Sequence, residues 1–309
     1  MRYQTTIDTV GIQIDAVNEM NRNMMLEGIL ALYKRENLYI TIKDYPLNQH
    51  SNFYIREYHI YAHNIVVASI KTGSFSIKDT LTNVVTTTYY ISLEFAGLMR
   101  YNQILDQITN STLFKTCAYL NNNLITFKLT GLDVCIDLYT KFNNILALCT
   151  KKTPKTVYWA AYEKQVYTST TYIEKIKHNK LQQAVQRAYL YDKAFKEGLE
   201  YNLTRFEMKL QPKFFNKNRE NVISGIMNSL DKYHVMYVPN KKEKQHLMRE
   251  YDNHSILRQR DIKKLKFDSY RCHPDVAVVV GFINRMFIVK EDDIKENQCH
   301  LWHNKLLRS

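Results

Sequence analysis

QRAYLYDKAFKEGLEYNLTRFEMKL, residues 186–210, is the segment from which the fold of this chain is best predicted. Side-chain character alternates with a period of two residues at both of its ends, which predicts two β-strands joined by a short charged connection containing a helix. In the second strand Arg205, Glu207 and Lys209 share one face. A strand with three ionisable groups on one face either lies on a solvated sheet surface or holds a site.

A second acidic strand is predicted upstream, in LDVCIDL, residues 132–138. Asp133 and Asp137 lie there among strand-forming apolar residues. Because Asp is depleted in β-strands, two of them in one short apolar run need a reason, which favours the interpretation of these strands as holding a site.

Charge and composition restrict the partners. The chain has 309 residues, a formal net charge of +13 and a pI near 9.3, which favour a polyanionic partner, with nucleic acid first and an acidic membrane surface second. No apolar run approaches the ~18 residues of a transmembrane helix, and MRYQTTIDTV lacks the layout of a signal peptide. We therefore expect a cytoplasmic protein, with its five cysteines reduced.

The order of short motifs from residue 89 to 212 resembles that of the rolling-circle replication initiators of small plasmids and filamentous phages, the replication initiation factor family. The motifs are YISLEFAG (90–97), LTGLDVCIDL (129–138), VYWAAY (157–162), YLYDK (189–193) and TRFEMKL (204–210). Each motif is short, and their order and spacing carry the resemblance.

This resemblance implies a nickase that cuts one DNA strand at a replication origin and rejoins it through a covalent 5′-phosphotyrosine intermediate. Tyr191 of YLYDK matches the attacking tyrosine of the family. Lys193 or Arg205 is expected nearby, where a cation lowers the pKa of the phenol or neutralises the phosphate. Other tyrosines compete for the role of nucleophile, namely Tyr158, Tyr162, Tyr167, Tyr172 and Tyr189.

The predicted chemistry also calls for a divalent metal, because the pentacovalent transition state gathers negative charge. Hard cations such as Mg²⁺ or Mn²⁺ prefer oxygen ligands. Asp133, Asp137 and Glu207 are the predicted ligands.

DNA is the predicted partner, as an origin hairpin that is single-stranded at the nick site. The resemblance further implies a homodimer on inverted repeats and a recruited host helicase, and no membrane partner is expected. The predicted DNA-binding residues are the basic side chains of three loops and of the central strands: Lys151, Lys152, Lys155, Lys175, Lys177, Lys180, Arg187, Lys263, Lys264 and Lys266.

For the fold we predict the α+β class, with a central antiparallel β-sheet that has helices on one face, as in Rep nucleases. Residues 1–210 are predicted to form the nicking and joining domain, with its motifs within 89–210. Residues 211–309 are predicted to form a smaller basic domain that either binds DNA or is an accessory helical domain with a solvated basic face. Two local predictions complete this scheme. The spacing of Val10, Ile14 and Val17 predicts a helix over 9–33, and DVAVVVGFINRMFIV after Pro274 predicts a strand or hairpin.

Two other functions remain open at this stage. The first is a sequence-specific DNA-binding initiator or repressor on the same scaffold without catalysis. The second is a basic RNA-binding or structural protein, which charge and aromatic content alone would support.

Overall fold

The structure of the chain is a computed structural model, and it describes residues 1–44, 56–79, 82–149, 155–160, 169–174, 186–218, 221–254 and 271–287. It has the predicted α+β class, and every strand pair with a defined register among these residues is antiparallel. Within the described residues, one compact unit comprises Met1–Ile7 and Asp133–Gly281, and the other comprises Asp8–Leu132 with 282–287.

The elements follow in chain order. The first eight are β1 (Tyr3–Ala16), α1 (Glu19–Arg35), β2 (Tyr39–Asp44), β3 (Arg56–Ala62), β4 (Ile65–Lys78), β5 (Val85–Ala96), α2 (Gln103–Asn122) and β6 (Lys128–Leu138). The next six are β7 (Ile145–Cys149), β8 (Lys155–Ala160), β9 (Ser169–Glu174), β10 (Gln186–Asp192), α3 (Lys193–Glu197) and β11 (Thr204–Leu210). The last six are α4 (Pro212–Lys217), α5 (Val222–Leu230), β12 (Tyr233–Tyr237), α6 (Lys241–His254), β13 (Arg271–Cys272) and α7 (Val276–Phe287).

The unit built on residues 8–132 is a sheet with a pair of helices. Its strands lie in the order β2-β3-β4-β5-β1, and α1 and α2 contact each other and β5. The buried hydroxyls of Tyr33 on α1 and Thr116 on α2 are 2.9 Å apart and form a hydrogen bond. The predicted arrangement of helices on one sheet face therefore holds in this unit.

The helix predicted over 9–33 is wrong in its first half, which is strand β1. Val10, Ile12 and Ile14 are fully buried at every second position and lie opposite Phe95, Leu93 and Ile91 of β5. This period of two is the signature of a strand with one buried face. Val17, which belongs to the spacing that predicted the helix, is exposed, as are Met20 and Met24 further along the predicted range.

Gly97 ends β5 in a conformation that an L-residue adopts only at a cost, with φ +75°. The side chain of Arg100 fills the space where a Cβ of residue 97 would lie, and its guanidinium donates to the carbonyls of Ala96 and Val66, each at 3.0 Å. A substitution at Gly97 would therefore strain the backbone and also displace Arg100.

Replacing Gly97 by alanine is expected to lower the free energy of unfolding by about 1–2 kcal/mol for the backbone and about 1–3 kcal/mol more for the clash. Gly198→Ala is the matched control, because Gly198 has φ +66° and no described heavy atom lies within 4 Å of its would-be Cβ. Urea unfolding followed by circular dichroism measures both. Equal losses for the two variants would show that Arg100 is not held where the structure places it.

The unit that contains residues 133–281 holds the segment from which the fold was predicted. Its larger sheet has the order β6-β11-β10-β9-β8, and β10 and β11 are antiparallel with α3 between them, as predicted. A second sheet, in the order β13-β12-β7, belongs to the same unit. Phe206 of β11 packs on Tyr233 of β12 with ring centroids 5.4 Å apart, so the apolar face of β11 contacts the second sheet at this point.

Two further predictions concern the C-terminal third. The strand or hairpin predicted after Pro274 is wrong: α7 is a helix, and its buried residues Val279, Ile283 and Met286 recur at helical spacing. β12 pairs with β7, so contacts join residues on both sides of position 211. The functional boundary between 1–210 and 211–309 stays a prediction.

Three of the five cysteines have described side chains. Cys117, Cys135 and Cys272 are buried, and the described residues form no disulfide with them. Burial raises the pKa of Cys117 to about 12 and that of Cys272 to about 11, because the thiolate loses its hydration. No helix within the described ranges has the length and apolar character needed to cross a membrane.

Candidate functional site

One face of the β6-β11-β10 sheet carries the ionisable residues singled out in the sequence. Arg205, Glu207 and Lys209 alternate along β11, and the register places Tyr191 opposite Arg205 and Tyr189 opposite Glu207. Side chains at directly paired positions of antiparallel strands lie on the same face. The structure therefore brings side chains from distant parts of the chain onto one face of this sheet.

Asp137 and Arg205 form the centre of this face. The Arg205 guanidinium donates to both carboxylate oxygens of Asp137, from Nε to Oδ1 at 2.6 Å and from Nη2 to Oδ2 at 2.7 Å. The Thr6 hydroxyl of β1 donates to the same Oδ2 at 3.0 Å. Both charged side chains are fully buried, and a bidentate geometry of this kind fixes position and orientation as well as charge.

Asp133 lies on β6 four residues before Asp137, and its carboxylate pairs with Lys209 of β11. The Lys209 ammonium is 3.2 Å from Asp133 Oδ2, and the carboxylate is buried while the lysine side chain is partly exposed. Lys209 is therefore a cation of this face that still reaches water.

Tyr191 and Glu207 form the third pairing. The Tyr191 hydroxyl donates to Glu207 Oε2 at 2.8 Å, and the two residues are 6% and 9% exposed. A carboxylate at this distance can accept the phenolic proton, so the pair has the geometry of a nucleophile with its general base. The phenol must be uncovered before a phosphate can reach it.

Each of the two cations predicted near Tyr191 is bonded to a carboxylate, although Arg205 lies opposite Tyr191 in the register. Lys193 is buried and bonds Glu197 at 2.8 Å, and Arg205 is engaged by Asp137. The ammonium of Lys196 instead lies 5.1 Å from the centre of the Tyr191 ring. A role for Lys193 or Arg205 at the phenol stays a prediction.

The three predicted metal ligands do not gather around one point. Asp137 is engaged by Arg205 and Thr6, Asp133 by Lys209, and Glu207 by Tyr191. Within the described ranges, no three His, Cys, Asp or Glu side chains lie close enough to hold a metal ion together. This arrangement does not fit a three-carboxylate site, and binding of Mg²⁺ or Mn²⁺ by these residues stays a prediction.

Of the predicted DNA-binding residues, the structure places the side chain of Arg187 alone, with its guanidinium 5.2 Å from the centre of the Tyr189 ring. Lys155 begins β8, and only its backbone is described. Outside the described ranges lie Lys151, Lys152, Lys175, Lys177, Lys180, Lys263, Lys264 and Lys266, and also the rival tyrosines Tyr162 and Tyr167.

Sequence reasoning did not identify two contributors to this face and gave a third a different role. Thr6 and Lys196 are ordinary residues in the sequence, and no local pattern marks them. Glu207 was assigned to a metal rather than to Tyr191, although an antiparallel pairing of the two strands predicts that they lie near each other. Asp192 is the N-cap of α3, and its Oδ1 accepts from the Phe195 amide at 2.9 Å, so its side chain is committed to the helix.

The chain was compared with protein families, curated proteins and solved structures. No protein-family description matches this chain, and no curated protein matches it. A solved structure of a rolling circle replication initiator protein from Geobacillus stearothermophilus is similar to it at 10% identity and a TM-score of 0.41, covering 76% of this chain and 87% of that chain. A similarity at this level does not establish a shared fold or function.

Proposed function

We propose that this chain starts rolling-circle replication of a plasmid or phage by nicking one strand of DNA at an origin and later rejoining it, with Tyr191 as the nucleophile. The observation that supports the proposal best is the 2.8 Å hydrogen bond from the Tyr191 hydroxyl to Glu207. It lies on a sheet face whose other carboxylates are held by Arg205 and Lys209. The order of motifs in the sequence supports the same proposal.

The proposed step exchanges one phosphodiester bond for another. Glu207 accepts the proton of the Tyr191 hydroxyl, and the phenolate oxygen bonds to the phosphorus of the scissile phosphate. The bond from phosphorus to the 3′ oxygen breaks, and that oxygen leaves as a 3′ hydroxyl once it is protonated. The 5′ phosphate remains attached to tyrosine, so attack by a 3′ hydroxyl reverses the exchange and rejoins the strand.

The charge of the chain supports DNA as the substrate. The formal net charge is +13, and the exposed Lys196 and partly exposed Lys209 place cations at this face. Cations near a phosphodiester attract the backbone without reading its sequence. Recognition of a particular origin, action as a homodimer and recruitment of a host helicase belong to the same proposal.

A second candidate function is a DNA-binding initiator or repressor that does not cut. Two observations favour it: Tyr191 is only 6% exposed, and the predicted metal ligands are engaged by other side chains. Both functions predict binding to an origin, and they differ in whether a strand is broken.

The experiment that separates them uses the full chain and a supercoiled plasmid that carries the origin of the replicon encoding it. Reactions contain Mg²⁺, Mn²⁺ or EDTA, and gel mobility before and after protease treatment reports nicking and protein attached to the 5′ end. A nicked circle with attached protein supports the proposal, and the EDTA reaction reports whether a metal is needed. Origin binding without nicking under all three conditions supports the second candidate.

A further inference from the structure

We propose that Tyr139 and Tyr201 form a stacking platform for the bases of single-stranded DNA next to the phosphate that Tyr191 attacks. This inference rests on the proposed function, since it identifies the form of DNA that the same site binds. It assigns a binding role to two aromatic residues that the nicking chemistry does not use.

The two rings of the stacking platform are nearly parallel. Their centroids are 6.2 Å apart and their planes differ by 22°. The guanidinium of Arg2 lies 4.6 Å from the centre of the Tyr139 ring, which adds a positive charge beside the aromatic surface. Aromatic faces next to cations are how proteins bind single-stranded nucleic acid without a fixed sequence.

One ring of the stacking platform, that of Tyr201, is exposed, and Tyr139 is half-buried. Tyr201 is 45% exposed, and Phe195, in the same connection between β10 and β11, is 49% exposed. Single exposed aromatic side chains are common on soluble proteins, whereas here two lie in one connection, with Lys196 between them in the sequence. Exposed aromatic rings combined with cations favour a polyanion that carries flat bases.

The backbone holds the stacking platform beside the candidate site. Tyr139 follows Asp137 by two residues, and its amide donates to the carbonyl of Arg2 at 3.0 Å. On the other side, the Thr204 hydroxyl donates to the Thr140 carbonyl at 2.9 Å, immediately before Arg205. The ends of β6 and β11 that carry the buried ion pair are therefore the ends from which Tyr139 and Tyr201 project.

The preference for single strands follows from base geometry. In a duplex the faces of the bases are already stacked on their neighbours, whereas a single strand exposes them to an aromatic side chain. Nicking by Tyr191 requires the scissile phosphate to come within bonding distance of the phenolic oxygen. Bases stacked on the platform would hold the strand so that the same phosphate stays at that position.

The test measures binding of a fluorescein-labelled single-stranded oligonucleotide, about 15 nucleotides long, to the full chain by anisotropy at fixed salt. One base–aromatic stack contributes about 1–3 kcal/mol, so Tyr201→Ala is expected to weaken binding about 5-fold to 150-fold. Tyr201→Trp should keep the wild-type affinity. Tyr39→Ala is the matched control, because Tyr39 is 68% exposed on β2 and does not belong to the platform.

A duplex of the same sequence provides the second readout, and its affinity is expected to be the same for wild type and Tyr201→Ala. Unchanged single-strand binding by Tyr201→Ala would overturn the inference, and so would an equal loss for the duplex or for Tyr39→Ala. Matching circular dichroism melts of the variants establish that folding is intact. If Tyr201→Ala loses single-strand binding while wild-type protein does not nick plasmid, the platform stands and the nickase proposal fails.

Discussion

Replacing Asp137 by alanine is expected to lower the free energy of unfolding by about 3–5 kcal/mol, the cost typical of leaving one partner of a buried ion pair uncompensated. Arg205 is fully buried and donates to Asp137 through two nitrogens, so the substitution removes the carboxylate that both of these nitrogens bond, at a fully buried guanidinium. The Thr6 hydroxyl loses its acceptor as well. Urea unfolding of the variant, followed by far-ultraviolet circular dichroism, measures the loss.

Two comparisons make this prediction specific to the buried pair. Asp15→Ala removes the partner of Lys128 in an exposed pair, for which we expect a loss of about 0–1 kcal/mol. The double variant Asp137→Leu with Arg205→Met replaces both charges by apolar groups, and it is expected to be much more stable than Asp137→Ala. If Asp137→Ala costs no more than Asp15→Ala, the pair is not buried in solution as the structure shows it.

Tyr191→Phe is expected to reduce plasmid nicking by about 10³-fold or more, because it removes the oxygen that would bond to phosphorus and leaves the ring in place. Origin binding should be unchanged, since the ring still packs against the same neighbours. The readout is the initial rate of conversion of supercoiled plasmid to nicked circle, together with the amount of protein linked to the 5′ end.

Tyr189→Phe is the matched control for the nucleophile. Tyr189 lies opposite Glu207 in the register of β10 and β11, so it is the nearest rival on the same face. We expect it to nick at the wild-type rate, and Glu207→Gln to nick about 10²- to 10⁴-fold more slowly because the general base is lost. The assignment of Tyr191 would be disproved if Tyr191→Phe nicked at the wild-type rate. It would also be disproved if the DNA were found linked to Tyr189.

The local parts of the fold could be predicted because their signals are local. Side-chain character alternates with a period of two in each strand of the β10-α3-β11 segment, and the two strands are separated in the chain only by residues 193–203. The error over 9–33 came from counting Val10 and Ile14 as helical while passing over Ile12, whose burial completes the period of two. In α7 a run of β-branched valines indicated a strand, yet the buried positions have helical spacing.

The candidate site could be predicted only in part, since its contacts are not local. The sequence places Asp137, Arg205 and Glu207 on strand faces but does not say which partner each carboxylate has. Asp137 pairs across 68 positions with Arg205, and across 131 positions with Thr6, and both contacts depend on the order of strands in the sheet. The chemistry of phosphodiester cleavage suggested a metal ion between the carboxylates. In the structure Asp137 and Asp133 instead pair with Arg205 and Lys209 of the neighbouring strand β11.

The buried pair of Asp137 and Arg205 also limits how this chain can evolve. A mutation at either position first passes through a chain with an isolated charge in its interior, and that chain would be lost to proteolysis before a second mutation arose. Substitution at one position is therefore constrained by the residue at the other. The two positions are expected to change together, or only after another mutation has raised the free energy of unfolding.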